Sequence, residues 1–262
     1  MRRIKLSFGS LLYALMFILL LSCGDDDSPS ENLQEEDPNA ANLQGAGQSA
    51  RDFLTAEEFT SLRIELAYPD GFRPTQQSID AIIPFLEDRL NKPGGVIIVE
   101  NQIISNETPP YTIEEIRSIE DANRTIYNEG DELGLWIFFS DGQAENDSGV
   151  NFTLGTAYRN TSLVIYEQTF FEIANQSQTG INIPIIETST IRHEFGHLFG
   201  LVNLGTPLQS DHEDPNAAHH CIVEGCLMEA SVMTSMFNTD NFEDIPNFDP
   251  LCIQDLQANG GL

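Results

Sequence analysis

The sequence predicts an α+β fold, with a mixed twisted sheet, two backing helices, a third long helix bearing a polar cluster, and a loop-rich C-terminal subdomain. Three observations carry this expectation. Segments of strand period alternate with segments of helix period between residues 59 and 166. A longer helix-period stretch follows near residues 186–199, and beyond Gly200 the chain becomes rich in Gly, Pro, Asn and Asp.

The elements follow in order. Leu62, Ile64, Leu66 and Tyr68 alternate and end at Pro69-Asp70-Gly71, a strand running into a turn. Ile79, Ile82, Ile83, Leu86 and Leu90 then recur at helical spacing behind Thr75, a helix cap, and Pro93-Gly94-Gly95 closes that helix before an apolar strand at residues 96–99. Thr112 and Glu115 form a capping box for a second helix, whose stripe of Ile113, Ile116, Ile119 and Ile126 is expected to run until Gly130. Strands are expected at residues 133–139, around Trp136-Ile137-Phe138-Phe139, and at 152–158 and 162–166. The third long helix carries Ile191, Phe195, Leu198 and Phe199 on its apolar side, and a short helix is expected at residues 250–258.

The N-terminus has the layout of a secretory signal: Arg2, Arg3 and Lys5, an apolar run over residues 11–21, then Ser22-Cys23. The run is too short to read as a permanent spanning helix. Leu20-Leu21-Ser22-Cys23 resembles the lipobox of bacterial lipoproteins, which implies removal of residues 1–22 and lipid attachment at Cys23. Gly24-Asp25-Asp26-Asp27 resembles the acidic tether of surface-exported lipoproteins. The resemblance implies an outer-membrane, surface-facing lipoprotein that meets the membrane through its lipid alone.

Residues 23–50 hold few large apolar side chains and are expected to be a flexible acidic tether. Residues 51–262 are long enough for one domain with a real core, divided near residue 200 into upper and lower subdomains. The formal charge is −29, and the expected signal segment would remove three basic residues and no acidic one. So acidic a chain is a poor partner for nucleic acid or an anionic membrane surface. A monomer is the default expectation.

His193-Glu194-Phe195-Gly196-His197 sets two imidazoles four residues apart, one helical turn along one face, with a carboxylate beside them. Two neutral imidazoles at that spacing suit one tetrahedral zinc, and zinc lowers the pKa of water enough for a neighbouring carboxylate to take its proton. This is the HExxH pattern, with His193 and His197 as ligands and Glu194 as general base.

A catalytic zinc needs a third protein ligand. The run from His193 to Gly200 resembles the metzincin clan, whose motif HExxHxxGxxH (or D) turns the chain at glycine to bring its last residue to the metal. The order of elements before it also matches the clan's upper subdomain, in which an edge strand pairs with an extended peptide substrate. Asn203 stands where the last ligand should be. His220-Cys221-Ile222-Val223-Glu224-Gly225-Cys226-Leu227-Met228 resembles the HC-x4-CxM pattern of archaemetzincins. That register implies His220 as third ligand, Met228 as the apolar floor beneath the metal, and residues 204–219 as an insertion. His212 is the rival ligand, and Met233 or Met236 the rival floor.

Cys221, Cys226 and Cys252 remain, an odd number. A disulfide among them is the simpler expectation in an oxidising compartment. The resemblance implies an alternative, a second structural zinc, since archaemetzincins hold one with four cysteines. Here Asp249 replaces the third of these, giving Cys3Asp. The resemblance as a whole implies a zinc metallopeptidase acting on a peptide or protein. The alternative reading is a non-catalytic metal- or protein-binding lipoprotein on the same scaffold.

Overall fold

The computed structural model describes residues 37–105, 107–148, 151–176, 181–231 and 239–262. Cys23 and its lipobox, the acidic run after it, Met233 and Met236 lie outside these. Five strands, β1 (Ser61–Tyr68), β2 (Gly95–Gln102), β3 (Glu132–Phe139), β4 (Gly155–Arg159) and β5 (Ser162–Ile165), form one sheet in the order β2-β1-β3-β5-β4. All neighbours are parallel except β4, which runs antiparallel to β5 along one edge. The architecture is the mixed α/β arrangement that the alternating periods predict.

Period-2 patterning sorts each strand between two cores. Leu62, Ile64 and Leu66 of β1 and Leu135, Ile137 and Phe139 of β3 pack under α2 (Gln76–Glu87) and α5 (Ile183–Leu198). Ala67, Trp136, Phe138 and Val164 face the opposite way, against Ile116 and Ile119 of α3 (Ile113–Asn123). Helix α3 opens on the expected capping box but stops three residues short of Ile126. Backbone amides of Thr125 and Ile126 instead donate to buried Glu65, each at 2.9 Å. A buried carboxylate left without such donors would cost more than one further helical turn returns.

Three elements were not foreseen. Helix α4 (Glu167–Gln176) packs against α5, and β6 (Glu213–Asp214) with β7 (Ala217–Cys221) makes a small antiparallel hairpin. The third is α1 (Ala50–Leu54), which buries Phe53 and Leu54. Helix α6 (Pro250–Ala258) closes the chain as expected.

The packed unit spans Asp37–Leu262, so residues 37–50, expected within the tether, belong to the fold. The expected spacer lacks apolar side chains, but Asn42 substitutes polar contacts. Its amide donates to Asn128 Oδ1 at 2.7 Å and Thr161 Oγ1 at 3.0 Å, while Asn128 N donates to its Oδ1 at 3.1 Å. Gln44 and Asn160 exchange two further bonds at the β4–β5 turn. Among the described residues no helix is long and apolar enough to cross a membrane.

Candidate metal centre

Helix α5 is buried on nearly every side, from Ile185 to Leu198. It begins with Pro184 near its N-terminus and ends where Gly200, at φ +71°, takes the left-handed conformation that releases the chain. Leu201 N donates back to Gly196 O at 3.1 Å. Val202 (φ 51°) and Asn203 (φ 64°) then continue the reversal. Asn203 turns its side chain to Glu213 at 3.2 Å.

The hairpin β6–β7 returns the chain to the helix and sets His220 beside the other two imidazoles. Ring centroids lie 4.9 Å apart for His193–His197, 5.2 Å for His193–His220 and 5.1 Å for His197–His220, a near-equilateral triangle. One ring nitrogen from each falls within 4.8 Å of the others. Nδ1 of His193 is paired with Leu227 O at 2.7 Å and Nδ1 of His220 with Ala218 O at 2.9 Å, which fixes both tautomers and frees Nε2. His197 Nδ1 is buried without a hydrogen-bond partner among the described residues. Burial pushes His193 down to about 4 and His197 well below the usual imidazole range, so both are neutral at pH 7, the form that binds a metal. The donor set therefore fits a zinc ion.

Glu194, next to this triangle, is 5% exposed and accepts a hydrogen bond from Ala157 N of β4 at 2.8 Å. Burial raises its carboxyl to about 8, and the Ala157 amide pulls the other way. A dication among the histidines would favour the ionised form further. The approach of β4 to α5 depends on Gly155, where a Cβ would stand 2.8 Å from both Glu194 Cγ and Thr190 Cγ2. These groups line a cavity of about 530 Å³, walled by Phe152–Ala157, Leu204, His219 and, from the N-terminal segment, Ala46.

Beneath the helix, Met228 is buried with its sulfur against Gly196, where no side chain would fit. His212, the rival ligand, is elsewhere. It is 1% exposed, with Nε2 at 3.6 Å from Cys252 Sγ and 3.4 Å from Asp255 Oδ2. Its place in the sequence, eight residues before His220 in the same loop, gave no sign of this.

Cys221, Cys226 and Cys252 are free thiols, which overturns the disulfide expectation. With Asp249 they form a second cluster whose donor atoms all lie within 4.8 Å of one another. Asp249 Oδ1 is 3.4 Å from Cys226 Sγ and 3.7 Å from Cys221 Sγ, and Cys226 Sγ is 3.7 Å from Cys252 Sγ. The first turn of α6 shapes this site, since Asp249 is its N-cap and accepts from Cys252 N at 3.1 Å. Hydrogen bonds from Cys226 and Cys252 bring the Cys221 thiol down to about 3, while donating to it raises both partners. Three sulfurs and a carboxylate at these separations suit a tetrahedral structural zinc.

Among solved structures, an archaemetzincin from Methanopyrus kandleri, determined by crystallography at 1.5 Å resolution, is similar to this chain. The TM-score is 0.46 at 19% sequence identity, over 76% of this chain and 96% of that one. No family model and no curated protein matches the sequence.

The missed contributors are backbone groups: the Ala157 amide, the Leu227 carbonyl and the chain at Ala46. Gly155 alone carried a readable signal, since a glycine inside a strand pattern often marks a close approach.

Proposed function

We propose that this chain is a zinc-dependent metallopeptidase that hydrolyses peptide bonds in the cavity between β4 and α5. The observation that carries the reading is the triangle of His193, His197 and His220 with Glu194 beside it in one open cavity. Zinc held there would supply a Lewis acid that polarises a carbonyl and acidifies water.

The remaining work falls to the chain's own groups. Glu194 takes a proton from the attacking water and passes it to the leaving amine, and its burial suits it to holding that proton between the two steps. Ala157 N–H holds the carboxylate at the wall of the cavity that the histidines also line. β4 is an edge strand bordering the cavity, and an extended peptide can lie along it as an added strand, apart from Ala157 N, which Glu194 engages, and Tyr158 O, which Arg117 engages. Cys221, Cys226, Asp249 and Cys252 hold a second, structural zinc in this reading.

The proposal also includes attachment to a bacterial outer membrane through a lipid on Cys23. That part is supported by Leu20-Leu21-Ser22-Cys23 alone. Radiolabelled palmitate incorporation that survives Cys23→Ala would exclude it.

The test of the activity is elemental analysis of the full chain paired with cleavage of unfolded casein. One zinc lost together with cleavage on His220→Ala, with a second zinc retained at the cysteines, is the expected outcome. Zinc bound at the histidines with no cleavage of any peptide in a diverse library would move the chain to the binding-protein reading.

A further inference from the structure

The two clusters are built on one stretch of chain. His220 and Cys221 are consecutive in β7, and each belongs to a different cluster. Cys226 belongs to the sulfur cluster, and its neighbour Leu227 aims its carbonyl at His193 Nδ1 at 2.7 Å. The next residue, Met228, lies under Gly196, within the helical turn that joins His193 to His197. The stretch is closed on itself: Cys221 N donates to Met228 O at 2.7 Å, and Met228 N approaches Cys226 Sγ at 3.4 Å. Residues 220–228 thus form a tied loop. Its two thiols face one centre, and an imidazole, a carbonyl and a thioether face the other.

We propose that the two centres are one cooperative unit, in which metal bound by the sulfur centre sets the affinity of the histidine centre. The inference rests on the reading that both clusters hold a metal, and does not require that the chain cleave peptides.

The physical argument is one of preorganisation. Without a cation, three buried sulfurs and the Asp249 carboxylate crowd within 4.8 Å of one another, held only by weak contacts and by the N–H groups of Val223, Met228 and Asp249, so the loop is fixed less firmly than around a metal. A metal there fixes Cys221 and Cys226. Peptide geometry then fixes the residues next to them, His220 and Leu227, which supply one ligand of the histidine centre and the acceptor that orients another. The histidine centre is spared the cost of ordering the loop, and that saving is its gain in affinity. Thiolates hold zinc more tightly than imidazoles, so the sulfur centre fills first.

Coupling between sites is reciprocal, and this gives the test two independent arms. The full chain is titrated with Co2+ and then Zn2+ against a chelator. Thiolate charge-transfer absorption follows the sulfur centre and the weaker d–d bands follow the histidine centre.

Cys252→Ser removes a donor that touches none of the three histidines. It is expected to weaken Co2+ binding at the histidine centre about 10- to 100-fold, the range typical of losing groups that orient ligands. His197→Ala empties the histidine centre without touching a sulfur, and is expected to weaken the sulfur centre by the same factor. That arm stands alone should Cys252→Ser fail to fold by circular dichroism.

Unchanged affinity at the intact centre in either folded variant overturns the proposal, as does a chain that binds no metal at all. Coupled binding in a chain that cleaves no peptide would leave this inference in place and remove the peptidase reading.

Discussion

The histidine and sulfur clusters make a controlled comparison within one molecule. They share a loop, yet one opens on a cavity and the other is sealed, with Cys221, Cys226 and Cys252 each at most 1% exposed. In the histidine cluster, burial holds His193 and His197 neutral and raises the adjacent Glu194, which lines the open cavity with them. In the sulfur cluster the four donor atoms lie within 4.8 Å of one another, and none of the four residues lines that cavity. The difference teaches what separates chemistry from scaffolding here: donor type matters less than whether a reactive carboxyl and open space lie beside the donors.

If that division is right, Glu194→Gln should break function at one centre and nothing at the other. Cleavage of casein is expected to fall about 10²- to 10⁴-fold, the usual contribution of a general base, while elemental analysis finds unchanged metal. Cys226→Ser should reach further, because the loop it anchors also carries His220. It is expected to remove about 3 kcal/mol or more of unfolding free energy from the metal-loaded chain, since binding energy at a structural site is folding energy. Denaturant unfolding with and without chelator reads this directly, and an equal loss for His197→Ala would erase the distinction.

A finer probe is Asn42→Ala, in the segment that walls only the histidine cavity. It removes four hydrogen bonds and leaves Asn128 N without its acceptor, while Gly134 O and Thr161 Oγ1 keep Arg124, and should cost about 1–3 kcal/mol in the same denaturant assay. Sulfur-centre absorption in the Co2+ chain should not change.

The far end of α5 offers a further contrast, because carboxyls there are buried without any cation cluster. Glu187 is raised to about 7 by burial, against hydrogen bonds from Thr75 and Ser78, and Glu167 is raised well above the usual carboxylate range by burial and by Glu187. Groups raised in the folded state stabilise it fully below their unfolded pKa and lose that contribution as pH climbs through the folded value. Stability should therefore decline from about pH 4.5 upward, and Glu167→Gln should flatten that decline between pH 5 and 7. Identical pH profiles for the two proteins, measured by thermal unfolding, would refute the assignment.

The smallest effect is expected at Gly155→Ala. A methyl 2.8 Å from Glu194 Cγ must displace either the strand or the carboxylate, for a loss of about tenfold in cleavage with both metals retained.

Much of this was legible in the chain. The sheet strands, the caps at Thr75 and Thr112, the closing helix and the HExxH turn follow from period and local chemistry. So does the meeting of His220 with His193 and His197, through its place directly before Cys221 in the archaemetzincin-like pattern. Other features were hidden for identifiable reasons. The N-terminal segment reads as a spacer because Asn42 and Gln44 bind through amide groups that hydrophobicity does not register. Helix α3 ends early because of a tertiary demand, the buried Glu65. The cysteines suggest a disulfide because counting them says nothing about Asp249, a residue that reaches them from the cap of another helix.

The link between Leu227 and His193 has a consequence for how such a protein can change over generations. The acceptor is a carbonyl, which every amino acid possesses, so the contact itself does not depend on the side chain, and burial of Leu227 in the core asks only that the residue stay apolar and of similar size. Substitution can barely touch it, whereas insertion or deletion of one residue between Cys226 and Met228 would abolish it. Lineages of this loop should therefore exchange one apolar residue for another at this position and hold constant in length.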